Sequence, residues 1–235
     1  MLLLPRIKVC GVTRTVDLDV IADCGVDAVG LNFVPSSPRY LDLARATVIA
    51  ARAHQLGLKT VALFRDALST QVSHILDQLS FDFVQLHGSE DPNFARNIIG
   101  TTPIIKAISW TGRSAEQELV RAWKAAAGYD SQQQRQIDSQ NLVLAGFLVD
   151  AYAPQQGGGT GQVANWQCLM PRPFELEGLP LMLAGGLTPA NVAEAIAAVK
   201  PDGVDTASGV EQSPGTKSSE LVRAFANAAR TAWQC

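Results

Sequence analysis

Short apolar runs alternate with longer amphipathic segments along most of the chain. The runs occupy residues 7–10, 28–33, 59–64, 83–86, 104–108, 146–150, 181–184 and 203–206. They are nearly continuous in apolar character rather than alternating, as expected of strands covered on both faces in a parallel sheet. Between them a helical period gathers Leu43, Ala46, Ile49, Ala50 and Ala53 on one face of residues 42–55. The same period groups Val192, Ala195, Ile196 and Val199 within 189–199, and Leu221, Val222, Phe225 and Ala228 within 218–232. Ser69 and the pair Thr188-Pro189 read as helix starts, the second with Pro at the first helical position. Eight strand–helix units, with a short one after the sixth strand, predict a (β/α)8 TIM barrel. An open doubly wound sheet is the competing architecture, but no Gly-rich dinucleotide loop follows the first strand.

One stretch breaks the rhythm. Residues 128–141, GYDSQQQRQIDSQN, are polar and Gln-rich, and the strand–helix alternation resumes at Leu142. We read them as a surface loop on a single barrel spanning 1–235, although a length of 235 residues alone allows one domain or two. Charged residues make up only 17% of the chain, as expected when many positions are buried on more than one side.

The charge balance narrows the partners. A net charge of −3 with no basic stripe gives no footprint for nucleic acid. The opening MLLLPRIKVCG is too short in apolar residues for a signal segment or a membrane span. Cys10, Cys24, Cys168 and Cys235 form no CxxC pair, so no metal site is expected, and a reducing, cytoplasmic compartment is.

Barrel chemistry sits at the C-terminal ends of strands. There the sequence places Cys10-Gly11, the segment PSSPRY containing Arg39, His87-Gly88, and Asp150. Glycine-rich turns follow strands six, seven and eight: the run from Gly157 through Gly159 to Gly161, Gly185-Gly186, and Ser208-Gly209. Backbone N–H groups in such turns approach anions closely, and barrels of this kind often hold phosphate after strands seven and eight. Two tempting motifs fail on spacing. GGGTG is not GxGxxG, and Gly215-Thr216-Lys217-Ser218 separates Gly from Lys, so neither reads as a nucleotide loop. Asp150 closes an apolar run, where an unused charge is costly. A lone Cys in a strand is as readily a small buried hydrophobe as a reactive thiol, and Arg39 and His87 also have plain surface or capping readings.

Taken together and in order, these segments resemble the phosphoribosylanthranilate isomerase family. They are KVCGVT from Lys8, GLNFVPSSPRY from Gly30, VQLHGSE from Val84, FLVDAYAPQQGGGTG from Phe147, LAGGLTPANV from Leu183 and GVDTASGVEQSPGTK from Gly203. The resemblance implies a (β/α)8 barrel performing an Amadori rearrangement on N-(5-phospho-β-D-ribosyl)anthranilate, a step of tryptophan biosynthesis, without a cofactor. It implies Cys10 as general base, Asp150 as general acid and Arg39 as partner of the anthranilate carboxylate. His87 would be a pocket residue, and Gly159, Gly161, Gly185, Gly186, Ser208 and Gly209 a phosphate cradle. Three positions depart from the family's pattern: Ala207 where Ser is common, Ser218 where Asp is usual, and Arg65 at a site often apolar. The expected partner is a phosphorylated aminosugar, not nucleic acid or a membrane, and a homo-oligomer stays open. Two other readings remain: a related aminoaldose isomerase, disfavoured by Cys10 standing where those use an acid, and a barrel that binds phosphosugars without turnover.

Overall fold

The computed structural model describes residues 4–98, 100–129, 142–150 and 166–234. Eight parallel strands close into one barrel in sequential order, each hydrogen-bonded to the next and β8 to β1. They are β1 Ile7–Cys10, β2 Ala28–Asn32, β3 Lys59–Phe64, β4 Phe83–Leu86, β5 Ile104–Ser109, β6 Leu144–Asp150, β7 Leu181–Ala184 and β8 Gly203–Thr206. The expected (β/α)8 architecture is the one observed. β6 starts before the expected residue 146 because the register with β5 slips there: Ile104 pairs with Leu144 but Ile105 with Gly146, leaving Ala145 as an extra residue.

Helices α1 Thr15–Asp23, α2 Leu43–Gln55, α3 Ser69–Gln78, α4 Pro92–Ile98 and α5 Ser114–Ala126 follow the first five strands. Between β6 and β7 the described residues hold 3-10 turns at Trp166–Leu169 and Phe174–Leu176, and the rest of the unit expected there lies outside the described residues. Helices α6 Val192–Val199 and α7 Ser219–Ala232 follow β7 and β8, and a small hairpin, β9 Glu211–Ser213 with β10 Thr216–Lys217, precedes α7. The Gln-rich stretch lies outside the described residues beyond Tyr129.

Local chemistry explains the helix starts and corrects one of them. Asp42 caps α2 by accepting from Arg45 N, and Ser218 caps α7 by accepting from Leu221 N. α3 starts at Ser69, with Leu68 as the residue before it, and Gln71 Oε1 reaches back to accept from Leu68 N. Pro189 is not the first residue of α6. Thr188 N donates to Asn191 Oδ1 and Thr188 O accepts from Val192 N, so a turn intervenes and the helix begins at Val192.

Two apolar clusters reflect the two faces of every strand. The larger lies between strands and helices and includes Val9, Val29, Phe64, Leu86, Phe147 and Leu183. The smaller fills the barrel interior with Ala28, Val61, Phe83, Ile105, Leu148, Met182 and Ala184. Strand parity thus sends alternate residues inward. Lys8 and Cys10 share inward parity, as do Gln85 with Phe83, Asp150 with Leu148, and Asp205 with Gly203.

α7 closes the circle by packing on both α1 and α6, with Val222, Phe225, Ala226 and Ala229 buried. Phe225→Ala should destabilise the protein by about 3–5 kcal/mol in urea unfolding, the usual cost of emptying a fully buried aromatic site. A loss under about 1 kcal/mol would show that α7 is not a structural closure.

Candidate active site

The strands are parallel, so all eight C-terminal ends face one mouth. Cys10 ends β1, and its backbone pairs with Gly30 of β2. Both Gly11 N and Val12 N donate to Gly30 O, which turns the chain sharply after the cysteine. A Cβ on Gly30 would stand 2.6 Å from Cys10 Sγ, so only glycine leaves room for the thiol. Cys10 is 6% exposed. Below it, Lys8 Nζ donates to Asp205 Oδ1 at 2.8 Å, an ion pair within the barrel. Burial pushes the Cys10 thiol up, while the Lys8 ammonium works the other way. Burial also opposes the charge on Lys8, but Asp205 and a hydrogen bond to Cys10 outweigh it and hold the lysine above its ordinary value.

Asp150 ends β6 and pairs with Ser109 of β5 and Ala184 of β7. Its Oδ2 lies 3.7 Å from His87 Nε2, and both side chains are about 30% exposed, at 30% and 29%. Gln85, two residues back on the same strand face, places its amide nitrogen 2.9 Å from His87 Nδ1. If the amide donates there, Nε2 carries the imidazole proton and faces the carboxylate.

The loop bearing His87 is clamped from outside the barrel. Lys106 on β5 is fully buried and donates to Gly88 O at 2.6 Å and to Glu90 Oε2 at 3.0 Å. Glu90 accepts in turn from Asp66 N and Gly88 N, tying the loops after β3 and β4 together. Burial lowers the Lys106 pKa, with Glu90 opposing the shift.

The glycine turns after β7 and β8 meet. Gly185 and Gly186 both hold positive φ, at 87° and 65°, which a side chain would strain. Leu187 O accepts from Thr206 Oγ1 at 2.8 Å and lies so close to Gly209 that a Cβ there would overlap it. Gly185, Gly186, Ser208 and Gly209 are therefore brought together as expected. Gly159 and Gly161 lie outside the described residues.

Arg39 does not stand free. Its Nε and Nη2 donate to Glu211 Oε1 and Oε2 at 2.8 and 2.6 Å, a bidentate pair. Glu211 also accepts from Lys217 Nζ at 2.8 Å, and that ammonium donates to Cys10 O and Ala207 O. Glu211, Lys217, Lys8, Asp205 and Gln85 were not singled out by sequence reading. For Lys8, Gln85 and Asp205 the signal was parity, since each stands two positions from a residue at the rim; Glu211 and Lys217 lie on the hairpin after β8 and carry no such signal. Of the three departures, Arg65 is exposed, Ser218 caps α7, and Ala207 contributes its carbonyl rather than a side chain. Among the described residues no group of three or more His, Cys, Asp or Glu is placed to hold a metal ion, and no helix is long and apolar enough to cross a membrane.

The family model for N-(5'phosphoribosyl)anthranilate (PRA) isomerase matches residues 7–228. The chain belongs to this family. It is an isomerase of tryptophan biosynthesis. It is similar to the N-(5'-phosphoribosyl)anthranilate isomerase of Myxococcus xanthus, 40% identical over 226 residues and 96% of each chain. It is also similar to that of Azotobacter vinelandii, 40% identical over 229 residues, covering 97% of this chain and 98% of the relative. The crystal structure of phosphoribosyl anthranilate isomerase from Thermotoga maritima matches with a TM-score of 0.77 at 28% identity, covering 97% of this chain and 100% of that one. A second solved isomerase, in complex with reduced 1-(o-carboxyphenylamino)-1-deoxyribulose 5-phosphate, matches with a TM-score of 0.74 at 27% identity, covering 97% and 100%.

Gly30→Ala should fold but lower kcat by about tenfold or more, because the new methyl displaces the Cys10 thiol. Circular dichroism with steady-state kinetics checks this, and unchanged kcat would show that Sγ need not sit where it does. Burial raises the thiol pKa, so the thiolate fraction is small at neutral pH and grows as pH climbs. The rate at which iodoacetamide alkylates Cys10 in the free protein should therefore keep rising with pH past the ordinary thiol range near 8.5. A plateau below that range would contradict the effect of burial.

Proposed function

We propose that the protein rearranges N-(5-phospho-β-D-ribosyl)anthranilate to 1-(2-carboxyphenylamino)-1-deoxy-D-ribulose 5-phosphate, with Cys10 as general base and Asp150 as general acid. The observation that supports this most directly is parity: Cys10 and Asp150 end two different strands, both on the interior face, at the same mouth of the barrel. Asp150 gives a proton to the ribose ring oxygen. The C1′–O bond breaks, and the aniline nitrogen lone pair forms a C=N iminium. The Cys10 thiolate then removes the C2′ proton, and the electron pair flows into the iminium to give an enolamine. The enolamine tautomerises to the ketone, with a proton added at C1′ and one lost from the C2′ hydroxyl. The protein supplies no redox step and needs no cofactor for this proton traffic.

The surroundings suit the roles. Lys8 is the cation nearest Cys10 in the strand and favours thiolate once the substrate is in place. His87 is placed to orient the Asp150 carboxyl. The meeting turns at Gly185-Gly186 and Ser208-Gly209 offer backbone donors for the phosphate, with Gly159 and Gly161 proposed as the third side of the cradle. Arg39 receives the anthranilate carboxylate. The same reading takes the chain as one barrel from 1 to 235 and places it in the cytoplasm, with a small phosphorylated aminosugar as its partner rather than nucleic acid.

Cys10→Ala and Asp150→Asn should each lower kcat by several orders of magnitude with the far-UV spectrum unchanged. The loss of fluorescence of the anthranilate-linked substrate measures turnover. Near-native turnover in either variant would remove that residue from its role, and substrate binding without turnover in the native chain would favour a barrel that only binds phosphosugars.

A further inference from the structure

We infer that Glu211 is a positioning residue for carboxylate recognition, holding the Arg39 guanidinium in one orientation at the barrel mouth. The inference rests on the reading of Arg39 as the carboxylate partner. The Arg39 stem lies flat on Gly11, so closely that a Cβ at Gly11 would overlap Arg39 Cδ. The stem packs against Gly11, and the orientation of the head is set by its hydrogen bonds. A guanidinium has five donors in a rigid planar fork. Nε and Nη2 go to the two oxygens of Glu211. Among the described residues Nη1 makes no hydrogen bond, so the fork turns its second edge elsewhere, the edge that suits a second carboxylate.

Glu211 is itself held. Its side chain is 4% exposed, and its Oε1 accepts from Lys217 Nζ and from Gly215 N. Lys217 is 1% exposed at its side chain and reaches the carbonyl oxygens of Cys10 and Ala207. One chain of contacts thus runs from the strand end bearing Cys10, through Lys217 and Glu211, to Arg39. Two cations share one carboxylate, and that keeps Glu211 ionised despite its burial. The arrangement gives Arg39 and Cys10 a common frame, so the anthranilate end and the reacting carbons are placed relative to each other. Glu211 acts through Arg39 and touches no substrate atom.

The test compares Glu211→Gln, Glu211→Asp, Arg39→Ala and the double variant Arg39→Ala/Glu211→Gln by steady-state kinetics. Glu211→Gln removes the charge. Glu211→Asp keeps Lys217 neutralised and withdraws the carboxylate by one methylene, so it serves if the Gln variant fails to fold. Each Glu211 variant should raise KM by about 10- to 100-fold with a smaller change in kcat, since a binding contact is misplaced. The double variant should be no worse than Arg39→Ala alone. With a substrate carrying aniline in place of anthranilate, the Glu211 variants should match the native protein. The inference is overturned if Arg39→Ala raises KM while folded Glu211 variants do not. It is equally overturned if the two losses multiply, or if the aniline substrate suffers as much as the natural one. An unchanged KM in Arg39→Ala would instead overturn the carboxylate role of Arg39, and the inference with it.

Discussion

The interior of a closed eight-stranded barrel admits little water, so every polar group that strand parity sends inward must find a partner or a use. That constraint organises the molecule. Below the mouth, Lys8 and Asp205 face inward from adjacent paired positions and neutralise each other. One level up, Cys10, His87 and Asp150 stand at the mouth, where substrate can replace solvent. The apolar residues beneath, from Val61 to Met182, close the floor. Only at that end can an inward polar group be reached, and that is the end at which barrels of this kind carry out chemistry.

Buried lysines connect this mouth to the scaffold. Lys106 fixes the loop after β4 through Gly88 and Glu90, and Lys217 fixes the ends of β1 and β8 through the carbonyls of Cys10 and Ala207. Each ammonium donates three hydrogen bonds, one of them to a buried carboxylate. Such pairs contribute little net stability against their desolvation, but removing one partner strands the other. Their use here is geometric: they set loop backbones, and through them the side chains at the rim.

Much of the fold was legible along the chain. Five of the eight strands have the bounds expected from their apolar runs, because a strand covered on both faces is apolar along most of its length. Val192, Ala195, Ile196 and Val199 of α6 form the buried face that their spacing predicted. The start of α6 was not legible: Pro189 suits a first helical turn, yet the bond from Thr188 N to Asn191 moves the helix start to Val192. The bulge at Ala145 was hidden for a related reason, since register depends on the neighbouring strand and not on the residues of β6 alone. At the site, Cys10, Arg39, His87 and Asp150 were visible as reactive types at strand ends. Glu211 and Lys217 were not, because their partners lie 172 and 207 residues away in sequence.

By itself the sequence determined the repeat, the sequential closure of the barrel and the residues at its rim, all consequences of local periodicity and of the order of short motifs. Only the tertiary structure decided which of those residues share the interior. It also decided that a carboxylate from after β8 turns the arginine from after β2, and that one glycine on β2 makes room for the thiol on β1. Those outcomes depend on distances between strands that are adjacent only once the barrel has closed.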